Sequence, residues 1–474
     1  MATQAYDAIV VGSGPNGLAA AITLARAGRA VLVREAAATI GGGMQTAEVT
    51  LPGFQHDICS AVLPLGVASP FFRTLPLEAY GLRWIYPPLA LAHPFDDGTV
   101  ATLERSVTAT AATLGDDAGA YRSLMVPFVA NWGALEGSLL GPLAVPRHPF
   151  ALARFGLRAI RSAAGLAQGV FKDERARGLF AGLAAHSIQA LDQPATAAFG
   201  LVLGILGHTV GWPMPEGGSS QLANALAAHL RALGGVIETG APVTTMAELP
   251  AARAVLFDVT PRQLLGIAGD RLPAGYRRKL ECYRYGPGVF KVDYALDGPV
   301  PWRAAEALRA GTVHLGGTLA EIARSEGEVA QGRHPERPFV LLAQQSLFDP
   351  SRTPAGKQTL WAYCHVPNGS TVDMTQAIEQ QIERFAPGFG ERILARSVMN
   401  TRAMEQHNAN YVGGDINGGI QDLRQLWTRP TARLVPYSTP APGIYLCSSS
   451  TPPGGGVHGM CGYYAARAVL KDQR

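Results

Sequence analysis

Hydrophobic positions at the start of the chain change their period over a short distance. Tyr6–Val11 is an apolar, β-branched run that ends in Gly12-Ser13-Gly14-Pro15-Asn16-Gly17. Leu18, Ala21, Ile22 and Ala25 then recur at helical spacing up to a stop at Gly28. Ala30–Val33 is a second apolar run, closed by Glu35. The order predicts strand, tight turn, helix and parallel strand. A similar rhythm returns at Glu216–Ser220, where Ser219 or Ser220 is placed to cap a helix carrying Leu222, Leu226 and Leu230. Gly234-Gly235 ends that helix before the strand Val236–Glu238, and Ala254–Phe257 predicts a further strand ending at Asp258. A third segment closes the chain: strand Ile444–Cys447, a loop over Ser448–Gly459, and a helix from Met460 to about Leu470.

Two long stretches lie between these segments. The first is helical in character with Pro and Gly interruptions, and its part from Phe150 to Phe171 is apolar and basic, as interfacial helices are. A solvated basic face over a core stripe accounts for the same pattern and is the preferred reading. The uncharged run around Phe199–Gly207 predicts a buried helix lining an apolar pocket, because the flanking prolines argue against a span. The second stretch contains the strand Val289–Ala295, with Lys291 and Asp293 on one face and Phe290, Val292 and Tyr294 on the other. It also holds the polar cluster Gln406–Tyr411, followed by Gly413-Gly414-Asp415.

Composition narrows the function classes. Charged residues are 16% of 474, the net charge is +4 without Lys/Arg runs, and hydrophobic residues are 47%. The chain is therefore ordered and lacks the footprint of a nucleic-acid binder. Five cysteines are scattered without CxxC or zinc spacing, so no metal site is expected, and a reducing, cytoplasmic setting is. The N-terminus leads from Met1 into the first strand with no basic leader pattern. No residue from Leu434 to Ala466 is charged, and its prolines and Gly454-Gly455-Gly456 break any continuous helix. That run predicts a buried loop whose amides face a large cofactor.

The glycine turn carries the first candidate chemistry. Gly12, Gly14 and Gly17 let backbone approach a pyrophosphate, with Pro15 and Asn16 opening the helix whose N-terminus stabilises the anion. Glu35 follows Gly12 by 23 residues, close to the spacing at which a carboxylate accepts from ribose hydroxyls. Gly454, Gly456 and Gly459 repeat the glycine spacing, but no strand and acid follow them, so a single dinucleotide site is expected.

Together with Gly41-Gly42-Gly43, Pro52–Asp57 and the ending Tyr445-Leu446-Cys447…Pro453–Gly459, these motifs resemble FAD-dependent oxidoreductases of the phytoene desaturase type. Within that group they are most similar to the branch named for pyridine nucleotide-disulfide oxidoreductase domain-containing protein 2. The resemblance spans essentially the whole chain. It implies an α/β fold of amine oxidase/phytoene desaturase architecture: a discontinuous Rossmann-like FAD domain from 1–75, 215–275 and 433–474, and a mixed α+β substrate domain from 76–214 and 276–432. It further implies that Gly12, Gly14 and Gly17 hold the FAD pyrophosphate and Glu35 the adenosine ribose. Val243 then meets the adenine, and Gly455, Gly456 and Val457 face the flavin pyrimidine. Gly42 lies in the glycine cluster, and Gly43 stands where relatives carry an arginine. The disulfide chemistry in the branch name is not expected, because the chain has no CxxC.

The catalytic candidates each have a plain alternative. His56 and Asp57 are expected near the flavin by resemblance, with a surface histidine and a turn-stabilising aspartate as the other reading. Lys291 matches a strand lysine that some wider relatives hold near flavin N5 through a water; an edge lysine beside Asp293 is the alternative. His407, Asn408, Asn410 and Asp415 either bind a polar substrate end or cap turns. His458 lies inside the flavin loop, where contact with flavin or substrate is expected, and Cys461 reads as a small buried residue rather than a reactive thiol. The function expected is dehydrogenation or desaturation of a hydrophobic small molecule by hydride transfer to FAD, reoxidised by oxygen or a quinone, with peripheral membrane contact open. Oxidation of an amine, flavin-dependent double-bond isomerisation and an FAD-stabilised scaffold are the alternatives.

Overall fold

Tyr6–Val11 is the middle strand of a five-stranded parallel sheet, and its last four residues are buried. The strand order is Ile444–Leu446, Ala252–Phe257, Tyr6–Val11, Val31–Arg34 and Val236–Glu238. Register is set by pairs such as Ile9 with Val255 and Ile9 with Leu32. The computed structural model describes residues 6–473, so Met1–Ala5 and Arg474, and the leader reading that involves them, lie outside the described residues. The Pro15–Arg26 helix crosses the Met460–Asp472 helix so closely that a Cβ on Gly462 would stand 1.7 Å from the Asn16 carbonyl oxygen. Only glycine permits that crossing.

A seven-stranded mixed sheet forms the other layer, ordered Ile393–Met399, Gly288–Leu296, Gln358–Val366, Val340–Ala343, Ala310–Leu315, Leu89–Pro94 and Val100–Leu103. All nine residues of Gly288–Leu296 are buried. Phe290, Val292 and Tyr294 enter a core with Leu342, Ala362 and Phe389. Lys291 lies in this strand between two neighbours, so the edge or solvent-facing reading does not hold. Helices over 107–209 cap this layer, and the predicted buried helix is Thr196–Thr209.

The structure divides one helical stretch and overturns one expected cap. The basic stretch from Phe150 to Phe171 divides into helices Pro149–Ala159 and Ala163–Val170, because Ser162 caps the second through the Gly165 amide. The Ser220–Ala232 helix has Ser219 at its N-cap position, yet no side chain of its own caps it. Asp57 Oδ1 accepts from the Ser219 amide at 2.8 Å and Thr46 Oγ1 from the Ser220 amide at 3.2 Å. Residues distant in sequence thus satisfy the orphan donors of this helix.

Candidate active site

The carboxyl ends of the parallel strands are where open α/β sheets place ligands. Gly12 leaves its strand at φ +102°, and a Cβ on Gly17 would lie 2.1 Å from the Gly12 carbonyl oxygen, so this turn admits no side chain there. Gly14 is the N-cap of the Pro15–Arg26 helix and supplies no capping side chain. The Gly17 amide donates to Asp258 Oδ2 at 2.8 Å. Asp258 ends the adjacent strand and is buried, and that burial drives its carboxyl up to about 7 against the Gly17 amide, with the charge of Glu35 pushing the same way.

Glu35 sits where the sequence places it, at the end of the second strand. Its Oε2 accepts from the Ser13 amide (2.8 Å) and hydroxyl (2.6 Å), and its Oε1 from the Ala37 amide (2.9 Å). A carboxylate offers about four acceptor positions, so one remains for a ribose hydroxyl.

A cavity of about 730 Å³ runs from these groups into the other layer. Glu35, Ala37, Val243 and Ile267 line its nucleotide portion, and Gly12, Gly14, Pro15, Asn16, Gly42 and Gly43 follow, with Gly456 and Val457 from the C-terminal loop. Leu203, Trp212, Leu341, Trp361 and Tyr363 line the remainder, with His186 and His407. The only carboxylates among the lining residues are Glu35 and Asp258. An FAD molecule fits these residues: the glycine turn admits close approach, and the buried Asn16 Oδ1 has no hydrogen-bond partner within the protein. The volume is in the range of small-molecule and cofactor sites, which is about 300–1,000 Å³.

Gly43 has a local cause. A Cβ there would lie 2.7 Å from the Tyr411 hydroxyl, so Tyr411 occupies the space into which a longer side chain would grow. Sequence reasoning had no means of pairing positions so far apart.

The catalytic candidates separate. His407 lines the cavity, and burial together with the nearby Lys291 charge lowers its proton affinity. Lys291, His56, Asp57, His458 and Gly455 are not among the lining residues. Lys291 Nζ is ion-paired with Asp293 Oδ2 and lies 5.8 Å from the Trp361 ring centroid, one side chain behind the wall. Asp293 Oδ1 faces His56 Nδ1 at 3.5 Å, and His56 Nε2 bonds the Thr50 hydroxyl at 2.8 Å. His56 is therefore buried, not on the surface. Asp57 is held by Arg352 at 2.8 Å, with both side chains buried. Against the desolvation of burial, the Arg352 charge and the Ser219 amide hold its carboxyl below the usual range.

His458 Nδ1 accepts from the Met460 amide at 3.0 Å, capping the last helix, and burial lowers its pKa to about 4. Asn410 clamps the two layers, accepting from the Thr260 amide and donating to the Asp258 carbonyl. Asp415 accepts from the Gly286, Asn417 and Gly419 amides, which is turn capping. Cys461 is buried, its thiol pushed up to about 12 by that burial.

The sequence did not single out His186 or the aromatic wall. His186 follows the Glu174–Ala185 helix, just before Ile188, a β-branched residue at φ +52°. Such a residue in the left-handed region costs about 1–3 kcal/mol and persists only where its surroundings impose it. His186 Nε2 lies 3.1 Å from His314 Nε2, so one ring donates and the other accepts, and burial lowers the His186 pKa to about 3. His314 Nδ1 and His93 Nδ1 flank Gly182 as buried, unpartnered nitrogens. Among the described residues no group of three or more His, Cys, Asp or Glu is placed to hold a metal.

Comparison with known proteins agrees with this geometry. A family model described as an NAD(P)-binding Rossmann-like domain matches residues 10–75. The chain is 27% identical to pyridine nucleotide-disulfide oxidoreductase domain-containing protein 2 of Rattus norvegicus, over 98% of this chain and 94% of that protein. It is also 27% identical to hydroxyneurosporene desaturase of Cereibacter sphaeroides, over 98% and 97%. The solved structure of wild-type putrescine oxidase bound to putrescine superposes with TM-score 0.62 at 18% identity, covering 99% of each chain, and so shares the fold.

Proposed function

We propose, for a chain that is a flavin-type oxidoreductase of the amine oxidase and desaturase superfamily, that it dehydrogenates a hydrophobic small molecule bound beside FAD. The observation that carries this reading is the shape of one continuous cavity. A glycine cradle and Glu35 stand in one portion, and a wall of Leu203, Trp212, Leu341, Trp361 and Tyr363 without any carboxylate stands in the other. Bound FAD supplies a two-electron acceptor that takes a hydride at N5.

The chain's own residues do the rest. Gly12, Gly14 and the start of the Pro15–Arg26 helix receive the pyrophosphate charge, which helix-end amides stabilise. Glu35 would accept from the ribose, Val243 and Ile267 would cover the adenine, and Gly456 and Val457 would bring the C-terminal loop to the flavin. The aromatic wall orients an apolar substrate and excludes water, so an activated C–H bond needs little acid-base help. His186, kept neutral by burial and tied to His314, offers a polar substrate end one ring nitrogen, Nδ1. Lys291 pairs with Asp293, which faces His56, behind Trp361, and this cluster holds that wall in place. Reoxidation of bound FAD would fall to oxygen or a quinone.

The tilted pair Trp361 and Tyr363, with ring centroids 5.4 Å apart, favours amine oxidation as the second reading, since aromatic faces receive cations. An ammonium there would find no carboxylate on the wall, which is why the apolar reading leads. The test is an absorbance spectrum of the purified protein followed by anaerobic bleaching with polyenes, fatty acids and amines. Bleaching by a polyene or fatty acid is the expected result. Bleaching by amines alone would replace the reading with amine oxidation, and flavin that no member bleaches would point to isomerisation or a scaffold. Protein that cannot be loaded with FAD would overturn the reading altogether.

A further inference from the structure

The interval 137–172 contains no Asp or Glu, yet it carries Arg147, Arg154, Arg158, Arg161 and Lys172. In the structure the core-facing side chains of the Pro149–Ala159 helix are Phe155 and Ala159. The opposite side is unusually apolar. Leu143 is 67% exposed, Val145 94%, Phe150 91%, Leu157 75% and Ile160 57%. Phe150 and Leu157 are two turns apart on one face of the Pro149–Ala159 helix, with the exposed Arg154 and Arg158 beside them, while Arg161 lies past the helix end and donates to the Gly165 carbonyl.

A second segment extends the patch. Tyr464 stacks on Tyr437 at 6.1 Å, and a Cβ on Gly141 would lie 2.9 Å from the Tyr464 hydroxyl. The loop after Gly141 and the segment before Tyr437 therefore meet at Tyr464. Leu434, fully exposed, and Val435, 41% exposed, stand in that second segment. Exposed apolar side chains are normal when single; a contiguous group rimmed by one sign of charge marks an interaction surface.

We propose that this face docks the protein on an anionic lipid bilayer, with Leu143, Val145, Phe150 and Leu157 entering the interface and Arg147, Arg154 and Arg158 meeting lipid phosphates. Charge selects this occupant. A second copy of the chain docking through the same patch would set arginines against arginines, and an uncharged partner would leave them without counter-ions. An acidic bilayer supplies both an apolar layer and phosphates at the depth of a surface helix. The contact lies on the surface: among the described residues no helix is long and apolar enough to cross a membrane. The inference does not depend on the substrate proposed above.

The experiment is co-sedimentation of the full chain with vesicles of phosphatidylcholine alone and of phosphatidylcholine mixed with phosphatidylglycerol, at low and high salt. The expected result is binding to the mixed vesicles on the order of tenfold above the neutral ones at low salt, weakened by salt. Phe150→Ser with Leu157→Ser, and separately Arg154→Glu with Arg158→Glu, should each abolish that preference while melting temperature and flavin content stay unchanged. Failure to bind mixed vesicles at low salt would overturn the proposal. Binding untouched by either pair of substitutions would overturn it too, as would a concentration-dependent dimer in sedimentation velocity that both pairs dissolve. Flavin bleaching plays no part in this readout, so the two readings fail separately.

Discussion

Asp258 bears on the electrostatics of the proposed nucleotide site. Its carboxyl bonds the Gly17 amide at the helix N-terminus that is to receive a pyrophosphate, and burial has raised its pKa to about 7. A bound diphosphate adds negative charge nearby and favours the protonated form further. Below about pH 7 the group is already neutral and costs FAD binding nothing; above it, binding must take up a proton, so FAD affinity falls as pH rises. Asp258→Asn should flatten that dependence, with a gain on the order of tenfold at pH one unit above the native value and little change below it. Fluorescence titration of FAD across pH reads this directly. Gly43 gives a second residue-scale expectation. Gly43→Ala should weaken FAD binding on the order of tenfold, because the new methyl group meets the Tyr411 hydroxyl at 2.7 Å. Adding Tyr411→Phe should recover part of the loss, and no recovery would mean the clash lies elsewhere.

At the scale of elements, the Asp57–Arg352 pair ties the strand Gln55–Asp57 to the start of the Ser220–Ala232 helix. Both side chains are buried, so Arg352→Met leaves a carboxylate without its partner and should cost about 3–5 kcal/mol in denaturant unfolding. The sign with pH follows from the depressed Asp57 pKa. The pair's contribution is fully present above the ordinary carboxylate range and is lost as pH falls through the folded value. Asp57→Asn should therefore be destabilising at neutral pH and converge with the parent in acid. A difference that persists unchanged at low pH would show that the ion pair is not what stabilises the junction.

Over the whole molecule, several histidines are buried in their neutral form. His458 and His93 are lowered from 6.5 to about 4 and His186 to about 3, chiefly by desolvation. The unfolded chain binds more protons than the folded one between those values and 6.5, so stability declines as pH drops below about 6.5. Asp258 acts with the opposite sign between 3.8 and about 7, and the raised carboxyls of Glu379 and Asp415 act with it, but they are three groups against seven, since His208, His229, His314 and His407 are lowered as well. The melting temperature should thus fall steeply from pH 6.5 towards 4, and a flat profile would contradict the burial described. Three separate segments of chain build the nucleotide site, so FAD links them. At a hundredfold excess over its dissociation constant FAD should add roughly 2.7 kcal/mol, seen as a rise in melting temperature of the apoprotein.

What could be read along the chain and what could not divide according to the range of the interactions involved. Tyr6–Val11, the glycine turn, the Pro15–Arg26 helix and Glu35 were legible because strand, turn and helix are written in local periodicity and in the sterics of glycine. The apolar, basic stretch from Phe150 to Phe171 and the charge-free C-terminal loop were equally plain, since composition is local as well. Lys291 and Asp293 were seen to share a face, but not that two neighbouring strands bury them, because sheet order depends on partners far away in sequence. Asp57 lay within a recognisable motif, yet its engagement came from Arg352, far along the chain. His186, Trp212, Trp361 and Tyr363 had no signal: each is an ordinary core residue until long-range packing turns it toward one cavity. Local sterics and periodicity thus settled the dinucleotide turn and the class of fold, whereas the position of every long-range partner, and with it the chemical character of the substrate wall, was decided only when the two sheets packed together.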